Sequence, residues 1–531
     1  MNKTFDIVIR GGLLYDGGLS EPFISDIGIA DGRIRLIGRC AENNAGEIVD
    51  ARGLAVCPGF IDTHSHSDFT AVADPRAEGK ICQGITTEVN GNCGMSAAPL
   101  YNKASEKREE DLKELGISKR WNTFGEYFSV LEKKGIALNM AFLAGHGNLR
   151  GSVVGYDDKE PTTEEMQGMA VLLEKAIADG ACGLSTGLIY PPGIYSRSEE
   201  LICLSSKLRN RDLIYTSHMR SEGDRVVEAV NEVIRTGEET GVKVHVSHIK
   251  TAGERNWGRA EEVISLLDDA RRRQVRITCD RYPYIASSTD LDSILPSWVF
   301  DGGNEEELRR LADEEERGKI ALQMIEESRP EGYWDKVIVS SVSSEKNRWM
   351  EGKTIAQISM EIRKQEIDTV FSILLDERLR AGAIFLSMTE ENLRRFLSLP
   401  YCMIGSDSSA RSFDGPTKKG KPHPRGFGTF PRLLGKYVRE GRIFSLSEAV
   451  HKSTGLAAQT FGLRGRGLLK VGFHADIVVF DPEKIADRSS FEDPFRMPAG
   501  VVHVFVNGIP GLREGRPSGR LSGQILKWNS D

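Results

Sequence analysis

His64 and His66 flank a single serine, and that spacing is the first sign of chemistry in this sequence. In an extended strand, residues i and i+2 face the same side, so both imidazoles can converge on one metal ion. Four more residues of ligand type close other apolar runs. Cys93 sits in Asn90-Gly91-Asn92-Cys93-Gly94, His218 and His248 each follow a serine, and Asp407 ends Gly405-Ser406-Asp407. Taken singly, each has an ordinary structural reading: satisfied core histidine, buried thiol, loop carboxylate. Six of them at equivalent strand ends point instead to one metal centre.

Such convergence needs strands whose carboxyl ends share a rim. The runs GFIDTHSH, GITTEVNGNCG, MAFLAGHG, CGLSTGLIY, LIYTSHMR, KVHVSHIK, RITCDRYPY and MIGSDSS are short, apolar and separated by helical periodicity. Thr162 and Glu165 form a capping box before Met166, Met169, Leu172, Leu173 and Ala176, and Gly180 stops that helix. Val226, Val227, Val230, Val233 and Ile234 carry the helical period up to Gly241. Eight such βα units predict an α/β fold, a (β/α)8 barrel with its active site at the carboxyl ends of the strands.

The chain ends differ from the middle. FDIVIRGG, DIGIADGRIRLIG and EIVDARGLAV near the start, and ADIVVFDP and VVHVFVNG near the end, alternate apolar and polar positions between turns. Pieces of this kind at both termini predict one small β-sandwich built from both ends. The expected division is 1–57 and 458–531 for the sandwich and 58–457 for the barrel. The roughly 120 residues between RYPY and MIGSDSS exceed any single crossover. They hold a charged helical run from Glu305 to Glu327 and two strand candidates, KVIVSS and TVFSILL. Read as an insertion at about 290–383, between strands seven and eight, they leave eight barrel strands; counted into the barrel, they would make ten.

The 531 residues carry 70 Lys+Arg against 77 Asp+Glu, a net charge of -7, which argues against a nucleic-acid or membrane-surface protein. Lys418, Lys419, Lys421 and Arg425 make the nearest approach to a basic run, and Gly and Pro interrupt it. Eight cysteines without disulfide or CxxC spacing, and no signal-like or spanning apolar run, predict a cytoplasmic protein with reduced thiols. His146 also ends a strand run, where capping its own loop is the competing role. His245, His423, His451, His474 and His503 read as structural, and Cys182 and Cys279 as packing.

The motifs PGFIDTHSHSD, NGNCG, GLSTGLIYPPG, TSHMRSEGD, VSHIKTAG, DRYPYIASSTDL, MIGSDSSARS, HPRGFGTFPR and LLKVGFHADIVVFDP occur in that order. In them the chain resembles the D-aminoacylase (N-acyl-D-amino-acid deacylase) family of the amidohydrolase superfamily. The likeness spans nearly the whole chain outside the insertion; the HxH pair is general to the superfamily, and NGNCG with GLIYPP is specific. It implies one tightly bound Zn2+ on Cys93, His218 and His248, with His64, His66 and Asp407 lining a second, weaker position. It implies zinc-dependent hydrolysis of the amide bond of N-acyl-D-amino acids to a carboxylate and a free D-amino acid, with Asp407 as general acid and base toward zinc-activated water. Many superfamily members bridge two metals with a carboxylated lysine on strand four; CGLSTGLIY has no lysine, which argues against a hydantoinase- or dihydroorotase-like cyclic-amide hydrolase.

The same resemblance assigns the substrate α-carboxylate to Lys250, Tyr282 or Tyr284, and Ser287. Strand alternation aims Lys250 at the face of His248; a rim salt bridge is its other reading. Tyr190 reads as a wall of the side-chain pocket or as core packing. Arg281 and Arg411 could read an acidic side chain or form structural ion pairs. The partner expected is a small molecule. Two alternatives remain open: a deacylase specific for N-acyl-D-glutamate or N-acyl-D-aspartate, and a silent relative serving as an assembly protein, which the full ligand set argues against.

Overall fold

The computed structural model describes residues 4–41, 45–326 and 330–528. Among them, the apolar runs form eight parallel strands: β1 (Phe60–Asp62), β2 (Ile85–Asn90), β3 (Asn139–Phe142), β4 (Gly183–Gly187), β5 (Ile214–His218), β6 (Lys243–Val246), β7 (Ile277–Arg281) and β8 (Cys402–Ile404). Both of their faces are covered, which is why they read as apolar runs rather than as alternation. β1, β2 and β3 make one sheet; β4 to β8, with the short Ala144–Gly145 extension of β3, make a second in chain order. The edges of the two sheets meet. Cys182 N donates to Phe142 O at 2.8 Å and Thr63 N to Ile404 O at 3.3 Å, and a parallel bridge pairs Ser65 with Ser408.

Helices between these strands begin and end where local chemistry dictates. Thr163–Asp179 carries the capping box of Thr162 and Glu165. Val226–Thr240 stops at Gly241, whose φ of 68° is a left-handed C-cap. No helix among the described residues is long and apolar enough to cross a membrane.

The segment between β7 and β8 forms a lobe with its own core, including Leu291, Val299, Ile320, Ile355, Phe371 and Leu374. Its sheet is Ser287–Asp290, Gly382–Phe385 and Val337–Ser341, with antiparallel pairing throughout. KVIVSS is thus a strand, but of this sheet and not of the parallel set. TVFSILL is a helix: it lies within Glu366–Asp376, where Val370, Phe371, Ile373 and Leu374 are buried on one helical face. A short run of β-branched and apolar residues cannot distinguish the two by itself. The charged run is two helices, Asn304–Ala312 and Glu314–Glu326. Glu327 lies outside the described residues, as do residues 1–3 and 529–531 at the ends of the two segments expected to form the sandwich.

Strands from both termini join one nine-stranded sheet. Ile477–Phe480 pairs antiparallel with Ala55–Pro58, Val478 opposite Cys57. Ile9, Ile27, Val56, Ile477, Val479 and Phe505 share its core. A buried polar node ties this sheet to β3. Asp476 pairs with Arg466 and accepts from Asn139 Nδ2 at 3.2 Å and from Asn507 N at 2.7 Å. Replacing Asp476 with Ala leaves the Arg466 guanidinium buried and unpaired, which costs about 3–5 kcal/mol. We expect a fall of that size in the unfolding free energy from urea denaturation, and a change within about 1 kcal/mol for the exposed control Glu21→Ala.

Candidate metal centre and active site

The strand ends bring all six ligand-type residues together. His64, His66, Cys93 and Asp407 form one group, and Cys93, His218 and His248 a second; within each, the ligand atoms lie within 4.8 Å of one another. Cys93 is common to both. Its Sγ is 3.2 Å from His64 Nε2 and 3.5 Å from His248 Nε2. Asp407 Oδ1 lies 3.2 Å from His66 Nε2 and 3.6 Å from His64 Nε2. Three of the six adopt left-handed backbone: Cys93 (φ 53°), His248 (φ 35°) and Asp407 (φ 51°). Such conformations cost of order 1–3 kcal/mol each and persist only where the surroundings impose them. Gly405 is part of that imposition, since a Cβ there would come within 2.5 Å of His64 Cβ.

Residues that sequence reasoning passed over hold these side chains. Asp280, the acid of the DRYPY segment, is fully buried, 3.4 Å from His64 Nδ1 and 3.0 Å from His245 Nε2, and accepts from His248 N at 2.5 Å. It ends β7 as Asp407 follows β8, and that equivalence was the available signal. Burial pushes its carboxyl up, but His64 and His245 hold it well below the usual range. His245, read as structural, faces this acid and packs on Phe461. Glu222 contacts His248 Nδ1 at 2.9 Å and the Lys250 ammonium. Arg425 Nη1 meets Asp407 Oδ2 at 2.8 Å. Burial would raise the Asp407 carboxyl; the Arg425 guanidinium and the neighbouring histidines keep it well below the usual range. Asp68 accepts from Gly91 N at 3.2 Å and Ala97 N at 3.0 Å, fixing the loop that carries Cys93.

The cluster opens on a cavity of about 1000 Å³, walled on its far side by the lobe through Ile294, Leu295, Tyr333 and Phe385. Lys250, Tyr190 and Ser287 line it. Lys250 combines both of its readings, facing the cavity while paired with Glu222. Tyr190 packs edge-on against His218 and shares a 2.9 Å hydrogen bond with Thr289 of the lobe. Tyr282 and Tyr284 are buried and do not line the cavity, although the Lys250 ammonium stands 5.9 Å from the Tyr282 ring. Tyr282 is held under the Arg281 and Arg425 guanidinium groups, 4.2 and 4.6 Å from its ring, and Tyr284 packs with it and Met388 in a small buried cluster. Arg281 donates to Tyr284 O, and Arg411 to Thr417 O and Lys419 O, so both are structural. His146 pairs with Glu200 at 2.7 Å, away from the cavity.

The donor set fits a divalent metal of zinc type. Both ring nitrogens of His218 are buried without a hydrogen-bond partner, an arrangement that leaves a ligand position to be filled. Burial raises the Cys93 thiol, but His64, His248 and His218 hold it well below its ordinary value, toward the thiolate that binds metal. A soft thiolate with two imidazoles leaves a fourth position open, the pattern of a reactive rather than a closed site.

A carboxylate held below its normal pKa adds stability that is complete above the unfolded value and is lost as pH falls through the folded one. For Asp280→Asn we therefore expect an unfolding free energy lower by about 3–5 kcal/mol at pH 7. The gap to wild type should stay flat down to about pH 4 and close below it. Urea midpoints from pH 7 to pH 3 test this, and a gap that narrows already between pH 7 and pH 5 would contradict it.

Three comparisons bear on this geometry. The amidohydrolase family model matches residues 47–192 and 349–510. D-aminoacylase of Alcaligenes xylosoxydans xylosoxydans is 37% identical over 525 residues, covering 99% of this chain and 98% of that protein. N-acyl-D-glutamate deacylase of the same organism is 36% identical, covering 99% and 97%. The crystal structure of N-acyl-D-glutamate deacylase from Bordetella bronchiseptica, complexed with zinc and a phosphonate mimic of the tetrahedral intermediate, superposes with a TM-score of 0.83 at 34% identity, covering 99% of this chain and all of that one. With full-length identity of this order and an amidohydrolase-type fold, the chain belongs to the amidohydrolase family, in its D-aminoacylase branch.

Proposed function

We propose that this protein hydrolyses the amide bond of N-acyl-D-amino acids to a carboxylate and a free D-amino acid, with zinc as its cofactor. The observation that carries the reading is the pair of ligand groups sharing Cys93 on the cavity, in a chain 37% identical to a D-aminoacylase. Cys93, His218 and His248 would hold the tight zinc, and His64, His66 and Asp407 would line a second, weaker position. When bound, the metal supplies Lewis acidity toward the scissile carbonyl and the attacking water.

The chain's own residues do the rest. Asp407, ionised beside Arg425, takes the water proton and delivers it to the departing amine, which leaves poorly unless protonated. Arg425 fixes Oδ2 and so keeps Oδ1 turned to the histidines. Lys250 offers its ammonium to the substrate α-carboxylate, with Ser287 beside it and Tyr190 as a wall. Each cation lining the cavity among the described residues already faces a carboxylate: Arg108 with Asp111, Lys250 with Glu222, Arg255 with Asp224, Lys336 with Glu254 and Arg425 with Asp407. Beyond Lys250, which is given to the α-carboxylate, the remaining cations are held by their own acids, and this, with the apolar far wall, favours uncharged side chains over the acidic ones named for the glutamate-specific relative.

We further infer that the two parallel sheets close into one (β/α)8 barrel spanning 58–457. The support is the hydrogen bonds from Cys182 to Phe142 and from Thr63 to Ile404. The terminal sheet of 1–57 and 458–531 would form the sandwich, and 290–383 the insertion. Eight free cysteines, seven of them buried, suit a cytoplasmic location.

Steady-state rates on N-acetyl-D-leucine, N-acetyl-D-glutamate, their L-isomers and a hydantoin test the reading. We expect the D-leucine derivative to be preferred; a preference for the glutamate derivative sinks the side-chain argument, and equal rates on L-isomers sink the stereochemical one. Asp407→Ala should lower kcat by about 10²–10⁴. Metal analysis should find zinc in the wild type and little in Cys93→Ala.

A further inference from the structure

Lys80 lies outside the cavity lining and is fully buried, in the one-turn helix Glu78–Ile81 before β2. A buried ammonium is tolerated only when surrounded by acceptors. Its Nζ has five: Asp62 Oδ2 at 2.6 Å, Ser406 Oγ at 2.8 Å, Ser408 O at 2.9 Å and Ser65 Oγ at 3.1 Å, together with Glu88 Oε1 at 2.9 Å.

The positions of those acceptors in the chain are what matter. Ser65 sits between His64 and His66. Ser406 and Ser408 stand on either side of Asp407. Asp62 Oδ1 accepts from Ser406 N at 2.7 Å and from His64 N at 3.3 Å, and Ser65 Oγ, with one proton to donate, lies 2.9 Å from both Glu88 Oε1 and Ser408 O. One ammonium thus clamps the backbone flanking both histidines to the backbone flanking the acid. Asp407 needs such a clamp: its left-handed φ is strained, and the chain would relax it if residues 406 and 408 were free to shift. No other side chain among those described contacts both of its neighbours as a hydrogen-bond donor.

We propose that Lys80 is a positioning residue that sets the separation of Asp407 from the His64–His66 pair, and with it the second metal position and the proton-transfer geometry. The proposal rests on the roles given to these residues under Proposed function. It differs from a simple structural ion pair in what it disturbs. Loss of an ion pair lowers stability alone, whereas loss of this clamp weakens one metal position and leaves the other.

The test compares Lys80→Met and Ser406→Ala with wild type and Asp407→Ala in the zinc-loaded full chain. Chelator competition measures zinc affinity at each equivalent, alongside kcat, KM and Tm. We expect Lys80→Met to keep the first zinc equivalent while the second weakens by about 10–100-fold, with kcat falling by a similar factor and KM changing less than about threefold. Ser406→Ala keeps the ion pairs and cuts two links, from Lys80 Nζ to Ser406 Oγ and from Ser406 Oγ to Asp62 Oδ2, so it should move both quantities the same way by about tenfold. A lowered Tm with wild-type kcat and second-equivalent affinity overturns the proposal. If Lys80→Met does not fold, Ser406→Ala decides: wild-type values there overturn it equally. Wild-type turnover in Asp407→Ala would instead overturn the functional reading, which keeps the two failures apart.

Discussion

The site depends on one constraint: ionisable groups taken out of water must face opposite charge or accept hydrogen bonds. A thiol, four imidazoles and a carboxylate meet at the strand ends with little exposure. Around them stand residues whose main work is pairing. Asp280 sits behind His64 and His245, Glu222 between His248 and Lys250, Arg425 against Asp407, and Lys80 beneath the β1 and β8 ends. Every one of them is a cost to the fold unless its partner is present, so the network stands or falls as a unit. That interdependence keeps the ligand atoms close before any metal binds.

The backbone shares the burden. Cys93, His248 and Asp407 all sit at positive φ, where non-glycine residues are uncommon. Each follows a strand directly or through a short turn, so the chain must bend sharply to return the side chain toward the centre. Hydrogen bonds that stabilise those bends come from other strands: His248 N on Asp280, Asp407 N on His64 O, Gly94 N on Ser185 Oγ. The strain is local, and its compensation lies in the tertiary fold.

The lobe between β7 and β8 has its own hydrophobic core and still belongs to the site. It contributes Ser287, Thr289 and the apolar far wall of the cavity. Thr289 also receives Tyr190 across the mouth. Strands carry the ligand cluster; the lobe between β7 and β8 walls the volume over it.

Much was legible in the residues themselves. The eight apolar runs, the capping box at Thr162, the stop at Gly241 and the six ligand-type residues all followed from period, spacing and residue type, because strand ends and helix caps are set by local chemistry. Only its place at a strand end marked Asp280; Glu222, Arg425 and Lys80 were not legible, since an acid or a cation in sequence looks alike whether it is solvated or buried against a partner far along the chain. Tyr282 and Tyr284 show the same limit: an aromatic one to three residues past a strand can face the cavity or the packing beneath it, and here both rings are buried against arginines. TVFSILL became a helix because its buried face required the helical period in a lobe with its own core. Local sequence determined which residues could do chemistry and on which strands they ride. The tertiary structure alone decided which charges meet, because pairing depends on distance through space and not along the chain.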